Sequence, residues 1–320
     1  MDLGTLGMAL VVVVGVPAVT AGYALLTERV LGLLPERRRP GFRPWLWLAP
    51  AFAFLIAYLI YPTVRTFILS LQNRDSSEFV GVDNYAGLVS NDTFWNAILN
   101  TALWIVFFAG IVVIFGLIIA VLADRVRYES VVKGLIFIPL AISFVAAGVI
   151  WSFIYDFSPA RGSLNAATGL IGIEPQSWLT VWPRNTFMLI IVGVWMWVGF
   201  ATVILSAGLK GISSELLEAA RMDGASELQV FYRIILPLLA PTIAVVATTI
   251  VITALKTFDI VYVMTNGQYG TEVIGTLFYH ARFVNFDAGT AAAVAIILLL
   301  TIIPVMLINI SRFQAQEAIR

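Results

Sequence analysis

Apolar runs long enough to cross about 30 Å of hydrocarbon recur seven times in this 320-residue chain. They lie near 6–27, 45–72, 97–123, 133–156, 186–209, 240–264 and 289–310. Hydrocarbon offers backbone N–H and C=O groups no hydrogen-bond partner, so each run must form a helix. The expected fold is all-α: a polytopic transmembrane bundle of about seven spans. Charged residues make up 12% of the chain, about half of what a soluble domain of this size carries.

The loop charges suggest an orientation. Arg29, Arg37, Arg38, Arg39 and Arg43 follow the first run, and no basic residue precedes it. That is the flank of an uncleaved anchor with its N-terminus outside. Alternating from there puts Arg125, Arg127, Lys133, Lys210, Arg221, Arg233, Arg312 and Arg320 inside. Only Arg74, Arg161, Arg184 and Arg282 fall outside. The expectation is N-out and C-in, with Trp45, Trp47, Trp95, Trp178 and Trp182 at the interfaces. The outer segments 73–96 and 157–185 read either as connectors or as a docking surface.

Several chemistries lack their residues. There is no cysteine, and His280 is the one histidine, so a zinc site or a Ser-His-Asp triad is not expected. Lys+Arg and Asp+Glu balance at 19 each, which gives no field to attract nucleic acid. No G-x-x-x-x-G-K-[ST] run is present to cradle nucleotide phosphates.

The inside segment 210–239 is not loop-like. Ser213 or Ser214 can cap a helix over ELLEAARMD at 215–223, and Gly224 can end it in the left-handed conformation. Ser226 with Gln229 has capping-box spacing, and Pro237 and Pro241 bend or restart the chain into the sixth run. The short helix mixes small residues (Ala219, Ala220) with acids (Glu215, Glu218, Asp223). It reads as a knob for a groove in a soluble partner, or as an amphipathic linker on lipid. Such linkers are usually basic, and this one is acidic.

EAARMDGASELQVFYRIILP at 218–237 resembles the EAA motif of bacterial binding-protein-dependent ABC importer permeases. The matching positions are Glu218, Ala219, Ala220, Gly224, Ile234, Leu236 and Pro237. AARMDGAS, LPLLAPT, FVGVDNYAGLV, FWNAILNT and KTFDIVYVMTNG resemble the carbohydrate branch, in the order of the maltose-type first permease subunit. The resemblance runs from about residue 45 to the end. It departs in the short 73–96 loop, where the maltose prototype has a large domain, and in NGQYG at 266–270, where relatives show a GGP-like turn.

The resemblance implies an extra N-terminal anchor with a basic linker at 1–44 and a six-span core at 45–320. It implies that Glu218, Ala219, Ala220, Asp223 and Gly224 couple to an ATPase subunit. Its partners would be a homologous second permease, two copies of a cytoplasmic ATPase carrying ATP and magnesium, an extracytoplasmic solute-binding protein, and lipid. The chain would bind no cofactor, catalyse no bond change, and sit in the bacterial inner membrane.

Ionisable groups inside spans are functional candidates. Lys256 and Asp259 are three apart, so on one helix they share a face and can pair; Tyr262 and Asn266 continue that face. Trp195, Gly199 and Thr202 also share a face, where an aromatic ring, a glycine and a hydroxyl suit a sugar. The structural alternatives are a buried Lys256–Asp259 pair, Trp195 in the core, Gly199 at a helix contact, Arg65 snorkelling to the interface and an incidental His280. Neutral charge favours an uncharged solute, an oligosaccharide such as an α-glucoside. The competing class is a self-contained secondary transporter, which would show an internal repeat; none is evident.

Overall fold

A computed structural model describes residues 3–317. Every regular element among them is a helix, apart from one antiparallel bridge between Gln72 and Phe79. The chain forms two compact units, Met1–Thr66 and Phe67–Arg320, so the boundary expected at 44/45 lies inside the first.

The first unit holds α1 (Leu3–Gly32) and most of α2 (Arg39–Ser70). Arg43 pairs with Glu28 at 2.7 Å, and the Tyr23 hydroxyl donates to the Leu46 carbonyl. Arg39 closes the turn between the helices by donating to the carbonyls of Leu34 and Gly32. None of Arg39–Ile60 is buried, and Trp45, Phe54 and Tyr58 are widely exposed. Such a surface suits hydrocarbon, not water.

In the second unit, α3 (Asp83–Val89) leads to α4 (Asp92–Ala123), which starts on an Asn91 cap and carries a π turn at Trp104–Phe108. Then come α5 (Glu129–Ala141), α6 (Phe144–Ile154), the short α7 (Ser163–Gly169) and α8 (Arg184–Lys210). After these follow α9 (Ser214–Met222), α10 (Glu227–Leu255), α11 (Asp259–Thr265), α12 (Ile274–Tyr279) with a π turn at His280–Val284, and α13 (Ala288–Glu317).

Helix α8 is the central post. It packs on α4, α5 and α10 and buries Leu189, Ile190, Met196, Ala201 and Leu205. In a membrane no hydrophobic force separates helix from lipid, so close packing must hold the bundle, and small residues permit it. Gly199 lies against the backbone of Ile136 and Phe137, where a Cβ would strike the Ile136 carbonyl oxygen. Gly208 receives Leu239 and Thr242, and Gly116 of α4 faces Ala201.

Among the described residues, five helices are long and apolar enough to cross a membrane: α2, α4, α8, α10 and α13 up to Leu307. The α5–α6 pair makes a sixth if it counts as one span. The expected 6–27 span lies on α1, where several side chains fall outside the described residues, as do Arg312 and Arg320.

Two expected spans are corrected. The 133–156 run is two helices bent by 99°. Pro139 opens a 3-10 turn there, Ile142 is extended, and Ser143 caps α6 by accepting from the Ala146 N–H. The 240–264 run begins earlier, at Glu227, and breaks at Lys256–Phe258 before α11.

At the end of the bundle where α8 begins, Asn100 is fully buried and uses its whole amide. It donates to Asn96 and to the carbonyls of Gly270 and Glu272, and accepts from Trp182 and Thr186. Asn165 does the same for 157–178, bonding the carbonyls of Asp156, Phe157 and Gln176, the Gln176 N–H and the Trp178 indole. The 157–178 stretch is therefore folded structure.

Gly199→Ala is expected to cost about 2–3 kcal/mol through overpacking. Gly134→Ala, which meets nothing within 4 Å, is expected to be neutral. Thermal melting of the purified protein distinguishes the two.

Candidate functional site

Two regions carry the chemistry. The first is the segment after α8. Ser213 is the N-cap residue of α9 by backbone angle, without a side-chain bond, and Asp223 ends the helix. Gly224 follows with φ +81°, the left-handed region in which a side chain is strained. Ser226 and Gln229 then form the capping box: Ser226 N–H donates to Gln229 Oε1 at 2.8 Å and Gln229 N–H to Ser226 Oγ at 3.4 Å. A π turn at Phe231–Ile235 carries the chain into Pro237.

Helix α9 buries none of its residues, and Met222 is 88% exposed. Glu218, Ala219 and Asp223 are open to solvent and Ala220 is half-buried. A nine-residue helix is marginal by itself in water. Its tie to the rest of the chain is Arg221, which bonds Glu227 at 2.8 Å; Glu227 in turn lies 3.9 Å from Arg125. The Glu227 carboxylate holds the Arg221 guanidinium above its ordinary range. These pairs are exposed, so solvent screens them and they hold the helix weakly.

The second region is a cavity of about 270 Å³ at the break between α10 and α11. Trp104, Phe108 and Phe258 give it aromatic walls, and Thr253, Lys256 and Asp259 give it polar groups. The π turn of α4 displays Trp104 and Phe108; such turns recur at functional sites. Lys256 caps the C-terminal end of α10 and Asp259 starts α11, so each charge suits its own helix dipole.

The expected Lys256–Asp259 pair on one helix face is therefore corrected. The helix breaks between them, and no ion pair joins them among the described residues. Both residues line the cavity. The buried Trp104 indole N–H has no hydrogen-bond partner among the described residues. Buried donors are rarely left so.

The other expected solute residues do not line this cavity. Trp195 stands edge-on to Trp151 at 5.7 Å, Gly199 is closed off by Ile136 and Phe137, and Thr202 is buried with its hydroxyl bonded to Val198 O. These three share a helix face as expected, but Gly199 and Thr202 present nothing to a solute. Tyr262 stacks on Phe258 at 5.1 Å, and its hydroxyl meets that of Tyr279 at 3.1 Å. Arg65 is exposed on α2.

His280, expected to be incidental, bridges two groups. Its Nδ1 lies 3.1 Å from Glu272 Oε1 and its Nε2 3.2 Å from Asn266 Oδ1. Burial pushes the Glu272 carboxyl up, and the imidazole draws it back down. Asn266 has φ +52° at the end of α11, so the NGQYG turn is pinned to the helix that carries His280.

Trp104, Phe108, Gly193 and Thr253 were missed by sequence reasoning. WIVFF inside an apolar run carries no signal that distinguishes a cavity wall from a lipid-facing surface.

A multi-span helical bundle with an exposed short helix between two spans, and a cavity at a broken one, defines the membrane component of a transporter. The chain belongs to the family of binding-protein-dependent transport system inner membrane components, which matches residues 112–313. It is 48% identical over 279 residues to the osmoprotective compounds uptake permease protein of Synechocystis sp., covering 86% of this chain and 100% of the relative. It is 45% identical over 273 residues to the alpha-glucoside transport system permease protein of Rhizobium meliloti, covering 84% of this chain and 81% of the relative. A bacterial ABC transporter involved in import of the acidic polysaccharide alginate shares the fold, with a TM-score of 0.72 and 23% identity over 89% of this chain and 99% of that one.

Because the Lys256 and Asp259 side chains make no ion pair or hydrogen bond among the described residues, replacing either by Ala is expected to change stability by no more than about 0.5 kcal/mol. Lys133→Ala, which removes one member of a half-buried ion cluster, is expected to lower stability clearly more than either. Melting curves of the purified variants test the contrast.

Proposed function

We propose that this chain forms half of the translocation pathway of an ATP-driven importer for an uncharged carbohydrate, an oligosaccharide such as an α-glucoside. The observation that carries the reading is the α10–α11 cavity. Its aromatic walls suit the faces of sugar rings, and its hydroxyls, Lys256, Asp259 and the free Trp104 indole N–H suit their hydroxyl groups. The 45% identical relative named for alpha-glucoside transport supports it. A second reading, another uncharged solute in the same importer class, is favoured by the 48% identical relative named for osmoprotective compounds.

The mechanism is alternating access in an N-out, C-in bundle of the inner membrane. A homologous second permease completes the pathway. An extracytoplasmic binding protein delivers solute, and a solved relative of this fold is described in complex with such a periplasmic protein. Two copies of a cytoplasmic ATPase bind ATP and magnesium. They receive α9, with Glu218, Ala219, Ala220, Asp223 and Gly224 as the seat. The exposure of α9 supports this, since a groove in the motor would cover it. Conversion between inward-open and outward-open states follows closure of the ATPase pair.

In proteoliposomes holding the assembled importer, an excess of unlabelled α-glucoside should abolish uptake of labelled solute; competition by a compatible solute alone selects the second reading. Lys256→Ala and Asp259→Ala should reduce uptake about tenfold or more with ATP hydrolysis intact. Unchanged affinity and selectivity in both would remove the cavity from the pathway. Uptake by this chain alone without ATP would overturn the importer reading for a secondary transporter.

A further inference from the structure

Where α4, α5 and α8 end together, two carboxylates and two ammonium groups meet. Lys210, the last residue of α8, lies 2.5 Å from Glu129 Oε1, at the start of α5. The same Glu129 oxygen takes Lys133, one turn further along α5. Lys133 also bonds Asp124 Oδ1 at 2.7 Å, where α4 ends, and Ser206 Oγ on α8. Ser206 donates to Asp124 at 2.7 Å. Lys133 thus spends all three of its donors on three helices.

The cluster is neutral as a set and largely withdrawn from water: the side chains of Lys133, Asp124 and Glu129 are 13%, 22% and 23% exposed. Pulling one member away leaves a lone charge in a poorly solvated place. Each member therefore resists displacement of the others, which ties the ends of the three helices to one another.

Its position relative to α9 gives it a task. Only residues 211–213 separate Lys210 from α9. The far end of α9 also reaches α4, through Arg221–Glu227 and Arg125, but those side chains are 46–66% exposed. That route is compliant. The route through Lys210 is exposed only at that first residue: Glu129, Lys133 and Asp124 behind it are mostly withdrawn from water, and the route ends on the helix that carries Trp104 and Phe108 into the cavity.

We propose that Asp124, Glu129, Lys133 and Lys210 form the joint through which displacement of α9 moves α4 and α5, which makes them positioning residues for transport. The inference rests on the coupling role of α9 proposed above and adds the path by which that motion enters the bundle.

The test uses the importer assembled with its ATPase and binding protein in proteoliposomes, and reads solute moved per ATP hydrolysed. Lys210 is 58% exposed, so its variants should assemble. Lys210→Arg is expected to stay within about twofold of the unaltered protein, Lys210→Gln to lose about fivefold, and Lys210→Glu more than about tenfold, with hydrolysis retained. In a Glu129→Gln background, Lys210→Gln should cause no further loss, because the pair is already broken. A Lys210→Glu importer with an unchanged ratio, or losses that simply multiply in the double variant, would overturn the joint. Gly224→Pro separates the two claims. If it uncouples while Lys210→Glu does not, only the joint fails; if it transports normally, the coupling role of α9 fails.

Discussion

The backbone contacts of helix α8 hold the second unit together. Gly199 lets α5 approach its backbone, and Gly208 does the same for α10. In hydrocarbon such contacts replace the hydrophobic effect as the source of association, so the post must be smooth where neighbours touch it. With that surface in place, α4 and α10 can lie alongside and enclose the buried Trp104, Phe108, Val246 and Ile250.

A bundle packed this tightly has polar chemistry only where helices stop or change their winding. The α10–α11 break offers Lys256 and Asp259, and the π turn in α4 offers Trp104. Elsewhere polar side chains are spent on structure. Asn100 and Asn165 tie segments at one end of α8, and the Asp124–Lys133 cluster ties its other end. Thr202 and Thr248 return their hydroxyls to their own helices. A solute thus meets unspent groups in few places, and the cavity is one of them.

The helical spans and the α9 region were legible because their signals are local. Apolar length defines a span. Gly224 as a left-handed stop, and Ser226 with Gln229 as a cap, stand within a few residues of each other. The cavity was half legible: Lys256 and Asp259 stood out as charges in an apolar run, but the break that separates them has no proline or glycine to mark it. Nothing local told Trp195, packed on Trp151, from Trp104, which faces the cavity. The bend at Pro139 had its signal, but the apolar run around it masked the two helices. The Glu272–His280–Asn266 contacts form across an irregular turn with no helical spacing, and the Lys210–Glu129 pair joins distant segments, so no spacing rule could find either.

Exposure and charge converge on α9. It is held by solvent-exposed pairs, buries nothing, and follows directly on the Asp124–Glu129–Lys133–Lys210 cluster. If its purpose is to seat in a motor, its backbone should be open without that motor and closed with it. Amide hydrogen exchange over 214–230, measured for the chain alone and for the chain assembled with its ATPase partner, tests this directly. The account predicts fast exchange alone and strong protection in the complex. Equal exchange in the two states would contradict it.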